Sequence, residues 1–275
     1  STSDTEVILK AWAEWGKDCF SRFHGMFAIA IHEHDSGRIH LARDRFGIKP
    51  LYLSEANGRI AFASSLPALL AGGGIDKSID RVALHHYMSW HAVVPAPRTI
   101  LNGVRKLPAA TVRTLEADGS SSEHTYWEPR FEKTAEDLAR SADDWRDEVL
   151  ESLRTAVRRR MVADVPVGVL LSGGVDSSLI VGLLAEEGQK GLATFSIGFE
   201  EAHGEKGDEF QYSDLIAEHY GTNHQQIFTP SSELQENLPG AIKAMSEPMV
   251  SYDNIGFYLL SREGSKHITV VQSGQ

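Results

Sequence analysis

Few folds accommodate the stretch that runs from Val165 to Ser178. Val165-Pro-Val-Gly-Val-Leu-Leu171 is an apolar run, Ser172-Gly-Gly-Val-Asp-Ser-Ser178 follows at once, and the chain continues as an apolar segment to Glu187. The run over 165–171 reads as a strand buried on both faces, and 177–187 reads as a helix. Between them the glycines let the backbone turn tightly and approach an anion with no Cβ in the way. The first amides of the helix aim their N–H groups at whatever binds there. Open parallel sheets take ligands at this place, beyond the carboxyl ends of their strands. The hydroxyls of Ser172, Ser177 and Ser178 suit phosphate oxygens. Asp176 would repel a bare phosphate but suits Mg²⁺ bridging to one. The loop lacks the Gly-Lys-Ser/Thr ending of the Walker type. A glycine-rich turn capped by Asp or Ser is the plain structural alternative. The order strand, loop, helix and the full heptapeptide favour a phosphate loop.

The rest of the chain falls into two patterns. After residue 165, strands Leu192–Phe199, Gln225–Thr229 and Ile268–Gln272 alternate with helices Phe210–Tyr220, Glu233–Met245 and Ile255–Ser265. That alternation predicts βαβ units and a parallel sheet. A helix from Asp143 to about Met161 precedes them. The first half instead reads as β-rich and antiparallel. Its strands are Met26–His34, Arg38–Ala42, Pro50–Ser54 and Arg59–Ser64, with turn signals at Asp35-Ser36-Gly37 and Asn57-Gly58. A further hairpin spans Ala110–Tyr126 and turns at Asp118-Gly119. Helices are expected at Ser3–Gly16, with Ser3 and Glu6 as a capping box, and at Arg81–Trp90 behind Asp80. Ala71–Gly74 reads as a break. Residues Glu132–Asp144 are polar without a strong pattern, and the domain linker is placed there. With 275 residues, at ~150 per domain, one to two domains are expected.

Composition excludes several classes. The net charge of −11 argues against a broad nucleic-acid face. One cysteine, Cys19, permits no intramolecular disulfide and fits a reducing, cytoplasmic setting. No apolar run approaches the ~20 residues that span a bilayer, so no membrane partner is expected. His32, His34, His40 and the pair His85-His86 have no further ligand at zinc-like spacing and read as ordinary histidines. Arg158-Arg159-Arg160 reads as a solvated helix end. The opening STSDTEVILK has neither Met nor a signal pattern, and the chain stops just past a strand. It therefore reads as a fragment cut at both ends.

Gly168-Val-Leu-Leu-Ser-Gly-Gly-Val-Asp-Ser-Ser178 resembles the pyrophosphate loop of N-type ATP pyrophosphatases, and among them that of glutamine-dependent asparagine synthetases. Gly25-Met-Phe-Ala-Ile-Ala-Ile31 and Ala42-Arg-Asp-Arg-Phe-Gly-Ile-Lys-Pro-Leu-Tyr52 independently resemble two segments of that family's class II glutaminase domain. The resemblance covers essentially the whole chain. It implies an α+β unit followed by an α/β unit. The first is a partial antiparallel β domain of the N-terminal-nucleophile type, the C-terminal part of a glutaminase, over 1–135. The second is a partial doubly wound parallel-sheet domain of the adenine nucleotide alpha-hydrolase-like kind, the start of an ATP pyrophosphatase, over 140–275.

The resemblance also implies a chemistry. Glutamine is hydrolysed in the first domain, and ammonia travels to the second. There ATP with Mg²⁺ adenylates a carboxylate, aspartate in the family, and ammonia displaces AMP. The implied partners are these small molecules and a second copy of the chain, since members often form homodimers. ATP contacts fall on Leu170, Ser172, Gly173, Gly174, Asp176, Ser177, Ser178, Ile197, Ser273 and Gly274, with Asp176 holding Mg²⁺. Ile197 reads equally as sheet core. Asp4 matches the aspartate that holds the glutamine α-amino group, or it is merely a helix-start residue. The family's N-terminal nucleophilic cysteine is absent. Internal Cys19 reads as a small structural thiol, so this chain is expected not to hydrolyse glutamine, and no catalytic residue is assigned. Arg43, Asp44 and Arg45 read as structural. Ser251, Tyr252 and Asp253 lie in the stretch matching the acceptor pocket, or are simply loop polarity. Gln275 stands where the family reads Glu. Glutamine is no general base. Either it is tolerated, or the acceptor is another carboxylate, such as N-acetylglutaminylglutamine. A non-catalytic nucleotide-binding protein is the third reading.

Overall fold

A computed structural model describes residues 3–56, 58–200, 209–251 and 253–274, with the backbone alone for Asp253. The chain divides into two compact units, residues 1–131 with 245–250, and residues 132–244 with 251–275.

The first unit opens with α1 (Asp4–Trp15). Ser3 caps it by accepting from the Thr5 N–H at 3.2 Å. Ala11 on its inner face, with Ile8 and Trp12, packs on a cluster of Cys19, Phe20, Ile29, Ile31, Ala42 and Val112. Cys19 and Phe20 open the single turn α2 (Cys19–Arg22). Then come β1 (Ala28–His32), β2 (Ile39–Arg43), β3 (Tyr52–Ala56), β4 (Arg59–Ala63), α3 (Leu66–Ala71), α4 (Arg81–Ser89), β5 (Arg105–Lys106), β6 (Thr111–Leu115) and β7 (Ser121–Thr125). They form two antiparallel sheets, ordered β1-β2-β6-β7 and β4-β3-β5. Leu41 and Leu115 of the first pack with Leu51, Leu53 and Leu107 from around the second. Asp80 caps α4 by accepting from the N–H groups of Val82 and Ala83. The segment Met245–Val250 belongs to this unit. Glu247 there accepts from Lys106 Nζ at 2.9 and 3.1 Å and from Tyr52 Oη at 3.0 Å.

The second unit begins with α5 (Ala135–Ala139) and α6 (Ala142–Arg160). The polar stretch 132–144 is therefore partly helical, contrary to the reading as patternless linker. Its signals are two reciprocal caps, Thr134 with Asp137 and Ser141 with Asp144. Apolar periodicity cannot reveal a helix whose residues stay exposed. Next are β8 (Val167–Leu170), α7 (Val175–Glu186), β9 (Ala193–Phe199), α8 (Phe210–Tyr220), β10 (Asn223–Thr229), α9 (Ser231–Ala244), α10 (Asp253–Gly264) and β11 (Val270–Gln272). All four strands are parallel, in the order β10-β9-β8-β11. Val157 of α6, Val181 and Leu184 of α7 and Ala217 of α8 cover one face with Val169 and Leu171. Leu260 of α10 covers the other with Phe195 and Ile268. This is a doubly wound α/β sheet. Its chain goes from β8 to β9 on one side and returns to β11 on the other. The end of β8 is thus the topological switch point, where such sheets bind ligands.

No helix of the described residues is long and apolar enough to cross a membrane. The triple arginine ends α6, where Arg158 pairs with exposed Glu187 at 2.8 Å. His32 and His34 have ring centroids 5.2 Å apart, with His34 beyond the end of β1.

Two histidines sit inside the units. His40 in β2 is 2% exposed, and His224 in β10 is bonded to Thr194 and Ser196. Burial holds both imidazoles below their ordinary pKa; Glu33 opposes this at His40, and Asp214 at His224. The unfolded chain therefore takes up their protons first, near pH 6.5. Their contribution to stability is whole above that pH and is lost as pH falls toward and through the folded values. The urea midpoint is expected to drop between pH 7.5 and 5, before the carboxylates titrate. His40→Gln should flatten the slope, and an unchanged midpoint across that range would refute the assignment.

Candidate functional site

The phosphate-loop candidate grows out of β8. The Leu171 N–H donates to Phe195 O at 2.8 Å, and Ser196 Oγ donates to Leu171 O. Both backbone groups of the last residue before the loop are thus tied to β9. Ser172 Oγ accepts from the Gly174 N–H at 3.3 Å and lies 3.1 Å from Ser177 Oγ. Ser177 Oγ donates to Gly174 O at 3.2 Å. Ser177 is buried, so this hydroxyl braces the loop from within. Ser178 Oγ is buried and unpartnered.

Gly173 has φ +84°, and a Cβ there would lie 2.5 Å from Tyr212 Cβ and 2.6 Å from Ser213 N. Gly174 caps α7 with no side-chain acceptor on the first-turn amides. Ser178 is the first residue of the helix whose N–H finds an acceptor behind it, Gly174 O at 3.0 Å. The N–H groups of Val175, Asp176 and Ser177 come before it, at the positive end of the helix dipole. Val175 is 83% exposed, so the mouth of the loop is open.

A second loop meets the first. β11 ends at Gln272, and a Cβ on Gly274 would lie 2.8 Å from Asp176 Cβ and 2.9 Å from Ser177 N. The fold therefore brings together residues 172–178 and 273–274, which are far apart in sequence. Leu170 and Ile197 join the same apolar cluster on one sheet face, with Phe195, Leu260 and Ile268. Tyr212 and Ser213, which wall the loop behind Gly173, carry no signal in the linear sequence. Ser196 and His224 equally escape a reading by motifs.

Asp176 is exposed and stands in the first turn of α7. Among the described residues no three His, Cys, Asp or Glu side chains are placed to hold a metal ion together. One carboxylate beside this candidate phosphate loop still fits Mg²⁺, which keeps several waters and takes further ligands from phosphate.

The other candidates lie elsewhere. Asp4 is exposed at the first position of α1. Cys19 is fully buried in the core of the first unit, and burial raises its thiol pKa. The Arg43-Asp44-Arg45 string is structural. Asp44, 1% exposed, accepts from the N–H groups of Phe27, Phe46, Ile48 and Lys49. Arg43 donates to the carbonyls of Lys49, Leu107 and Gly47, and Arg45 to Ser21 O. Ser251 is half-buried and Asp253 begins α10, whereas Tyr252 and Gln275 lie outside the described residues.

Comparison with known sequences agrees with both units. Residues 148–275 match the family described as asparagine synthase, and residues 1–127 match the glutamine amidotransferase domain. The chain thus carries an asparagine synthase segment behind a glutamine amidotransferase segment. It is 34% identical to asparagine synthetase [glutamine-hydrolyzing] 1 of Bacillus subtilis over 99% of its length and 42% of the relative's. It is 33% identical to putative asparagine synthetase [glutamine-hydrolyzing] 2 of Methanocaldococcus jannaschii over 99% of its length and 52% of that chain. The chain thus spans about half the length of the curated family members it matches. A solved NH3-dependent NAD synthetase from Campylobacter jejuni superposes with a TM-score of 0.32 at 15% identity, covering 46% of this chain and 54% of that one.

Proposed function

We propose that the protein carrying this chain is an ATP-dependent, glutamine-using ligase that amidates a carboxylate, with aspartate as the acceptor. Residues 140–275 contribute the ATP pyrophosphatase site, and residues 1–135 contribute part of the glutaminase. One observation carries the reading. A Gly173-Gly174 turn with uncapped helix amides opens at the switch point of a parallel sheet.

The residues divide the work by position. Gly173 and Gly174 keep side chains out of the cradle, and the amides of Val175, Asp176 and Ser177 receive the pyrophosphate oxygens. Ser177 and Ser172 hold the turn in shape. Asp176 would hold Mg²⁺, which supplies positive charge against the leaving pyrophosphate. Leu170 and Ile197 offer an apolar surface for the adenine, while Ser273 and Gly274 close on the cradle from β11. A carboxylate is a poor electrophile. Its oxygen attacks the α-phosphorus, the bond to pyrophosphate breaks, and the acyl-adenylate then loses AMP to ammonia. Loop amides stabilise charge on the departing pyrophosphate as it develops. Asp4 is the proposed ligand of the glutamine α-amino group.

Gln275 favours a second reading, in which the acceptor is another carboxylate such as N-acetylglutaminylglutamine. Pyrophosphate release from Mg-ATP by the full-length gene product, with ammonia and a panel of acceptors, separates the readings. Release with aspartate is expected. Release only with another carboxylate would move Gln275 into an altered acceptor site. ATP binding with no release for any acceptor would leave a non-catalytic nucleotide-binding protein.

A further inference from the structure

Behind the loop runs a chain of polar side chains, buried at Thr194 and Ser196 and half-buried at Thr222 and His224, that the nucleotide contacts do not use. Thr222 Oγ1 lies 2.8 Å from Thr194 Oγ1, which lies 2.8 Å from His224 Nδ1. His224 Nε2 lies 3.2 Å from Ser196 Oγ, and Ser196 Oγ donates to Leu171 O. Thr194 and Ser196 are 0% and 4% exposed. The direction of every bond follows from the last one. A carbonyl only accepts, so the single Ser196 proton goes to Leu171 O. Ser196 Oγ can then only accept from His224, which puts the ring proton on Nε2. In a neutral ring Nδ1 accepts, so Thr194 donates to it and in turn accepts from Thr222. Burial favours the neutral ring, Asp214 and a hydrogen bond to the Thr194 backbone pull the other way, and Asp214 Oδ1 at 3.7 Å from Nε2 suits a proton on that nitrogen. Gln226 Nε2 holds Asp214 in place from the same strand at 2.6 Å.

We propose that His224, acting through Ser196, is a positioning residue for the 172–178 loop. The reason is the planarity of the peptide bond. Anchoring Leu171 O fixes the plane of the Leu171–Ser172 peptide, and with it the direction in which Ser172 leaves the strand. Ser172 then sets the Gly174 N–H and the Ser177 hydroxyl. A backbone strand neighbour would hold this carbonyl only as part of the sheet ladder. Here a side chain does so, and its own orientation is set by a histidine two strands away from β8. Bonds in one direction along such a chain reinforce one another in a buried setting. The inference rests on the reading of this loop as an ATP site.

The test uses the whole 275-residue chain, with hydrogen exchange of the 172–178 peptide and the Kd for Mg-ATP as separate readouts. Ser196→Ala and His224→Ala are each expected to speed loop exchange and weaken Mg-ATP by about tenfold, the scale of one lost hydrogen bond. The double variant should be no worse than either single one, because both cut the same chain. His224→Gln, whose amide N–H reaches the Nε2 position, should restore most of the protection and affinity. His224→Asn, which mimics Nδ1, should not. A purely structural role would make both scale with thermal stability instead. Ser196→Ala removes a single buried oxygen, so it stays readable even where His224→Ala fails to fold. Loop exchange unchanged in Ser196→Ala overturns the proposal. A wild-type loop whose exchange Mg-ATP leaves unmoved overturns the nucleotide reading, while the variants' exchange still decides the positioning role.

Discussion

Gly173→Ala is expected to weaken Mg-ATP binding by at least about 100-fold, as read by titration calorimetry on the intact chain. Two costs add. The left-handed backbone at φ +84° costs an L residue roughly 1–2 kcal/mol. The new methyl must also occupy space 2.5 Å from Tyr212 Cβ and 2.6 Å from a backbone nitrogen of α8. A rotamer change relieves neither contact, because both atoms are fixed to the helix backbone. The loop or the helix must move, and either movement spoils the cradle. Gly188 separates the two costs. Its φ is +82°, but no atom lies within 4 Å of the Cβ position. Gly188→Ala should therefore lower stability by about 1 kcal/mol and leave ATP affinity alone. Equal affinities for Gly173→Ala and wild type would sink the assignment of this turn as the phosphate cradle.

Asp44→Ala should be the most destabilising single change in the first unit, by about 3–5 kcal/mol in urea unfolding. The carboxylate accepts four backbone N–H groups, at 3.2, 3.2, 3.0 and 2.9 Å. These donors come from both sides of a turn, Phe27 on one and Phe46 to Lys49 on the other. Alanine leaves all four without that acceptor, around a position that is itself 1% exposed. Such a loss is a large part of a typical domain stability of 5–15 kcal/mol. Asp44→Asn keeps one acceptor oxygen but turns an NH₂ group against the remaining donors, so it should recover only part of the loss. A change below about 1 kcal/mol for Asp44→Ala would show that water or neighbouring groups already satisfy these amides. The same substitution should leave the ATP affinity of the second unit unchanged, since Asp44 belongs to the first.

Much of the fold was legible locally. α8 falls on the expected residues, β1, β4, β6 and β7 lie within the expected strand and hairpin ranges, and β2 runs one residue past its expected end. Their signals are apolar alternation, helical spacing and turn residues, all properties of neighbours in sequence. Short elements escaped. α3 was not anticipated, although Ser65 caps it and Pro67 stands in its first turn. α5 lies in the stretch that reads as linker, because its helix-forming signal is a pair of caps and not an apolar stripe. The hydroxyl of Ser177, read in the sequence as a phosphate contact, donates here to Gly174 O, the carbonyl three residues before it at the start of α7.

What the sequence by itself determined is the strand, the two glycines and the helix that follows, since backbone freedom and hydrophobic period are local properties of those residues. The tertiary structure alone decided which groups surround them. The order β10-β9-β8-β11 places Ser196 and His224 behind the loop and brings Gly274 against Asp176. No spacing in the chain encodes that neighbourhood. It arises because parallel strands pair through crossovers, and the register of their ladders, set by packing on both faces of the sheet, decides which distant side chains meet.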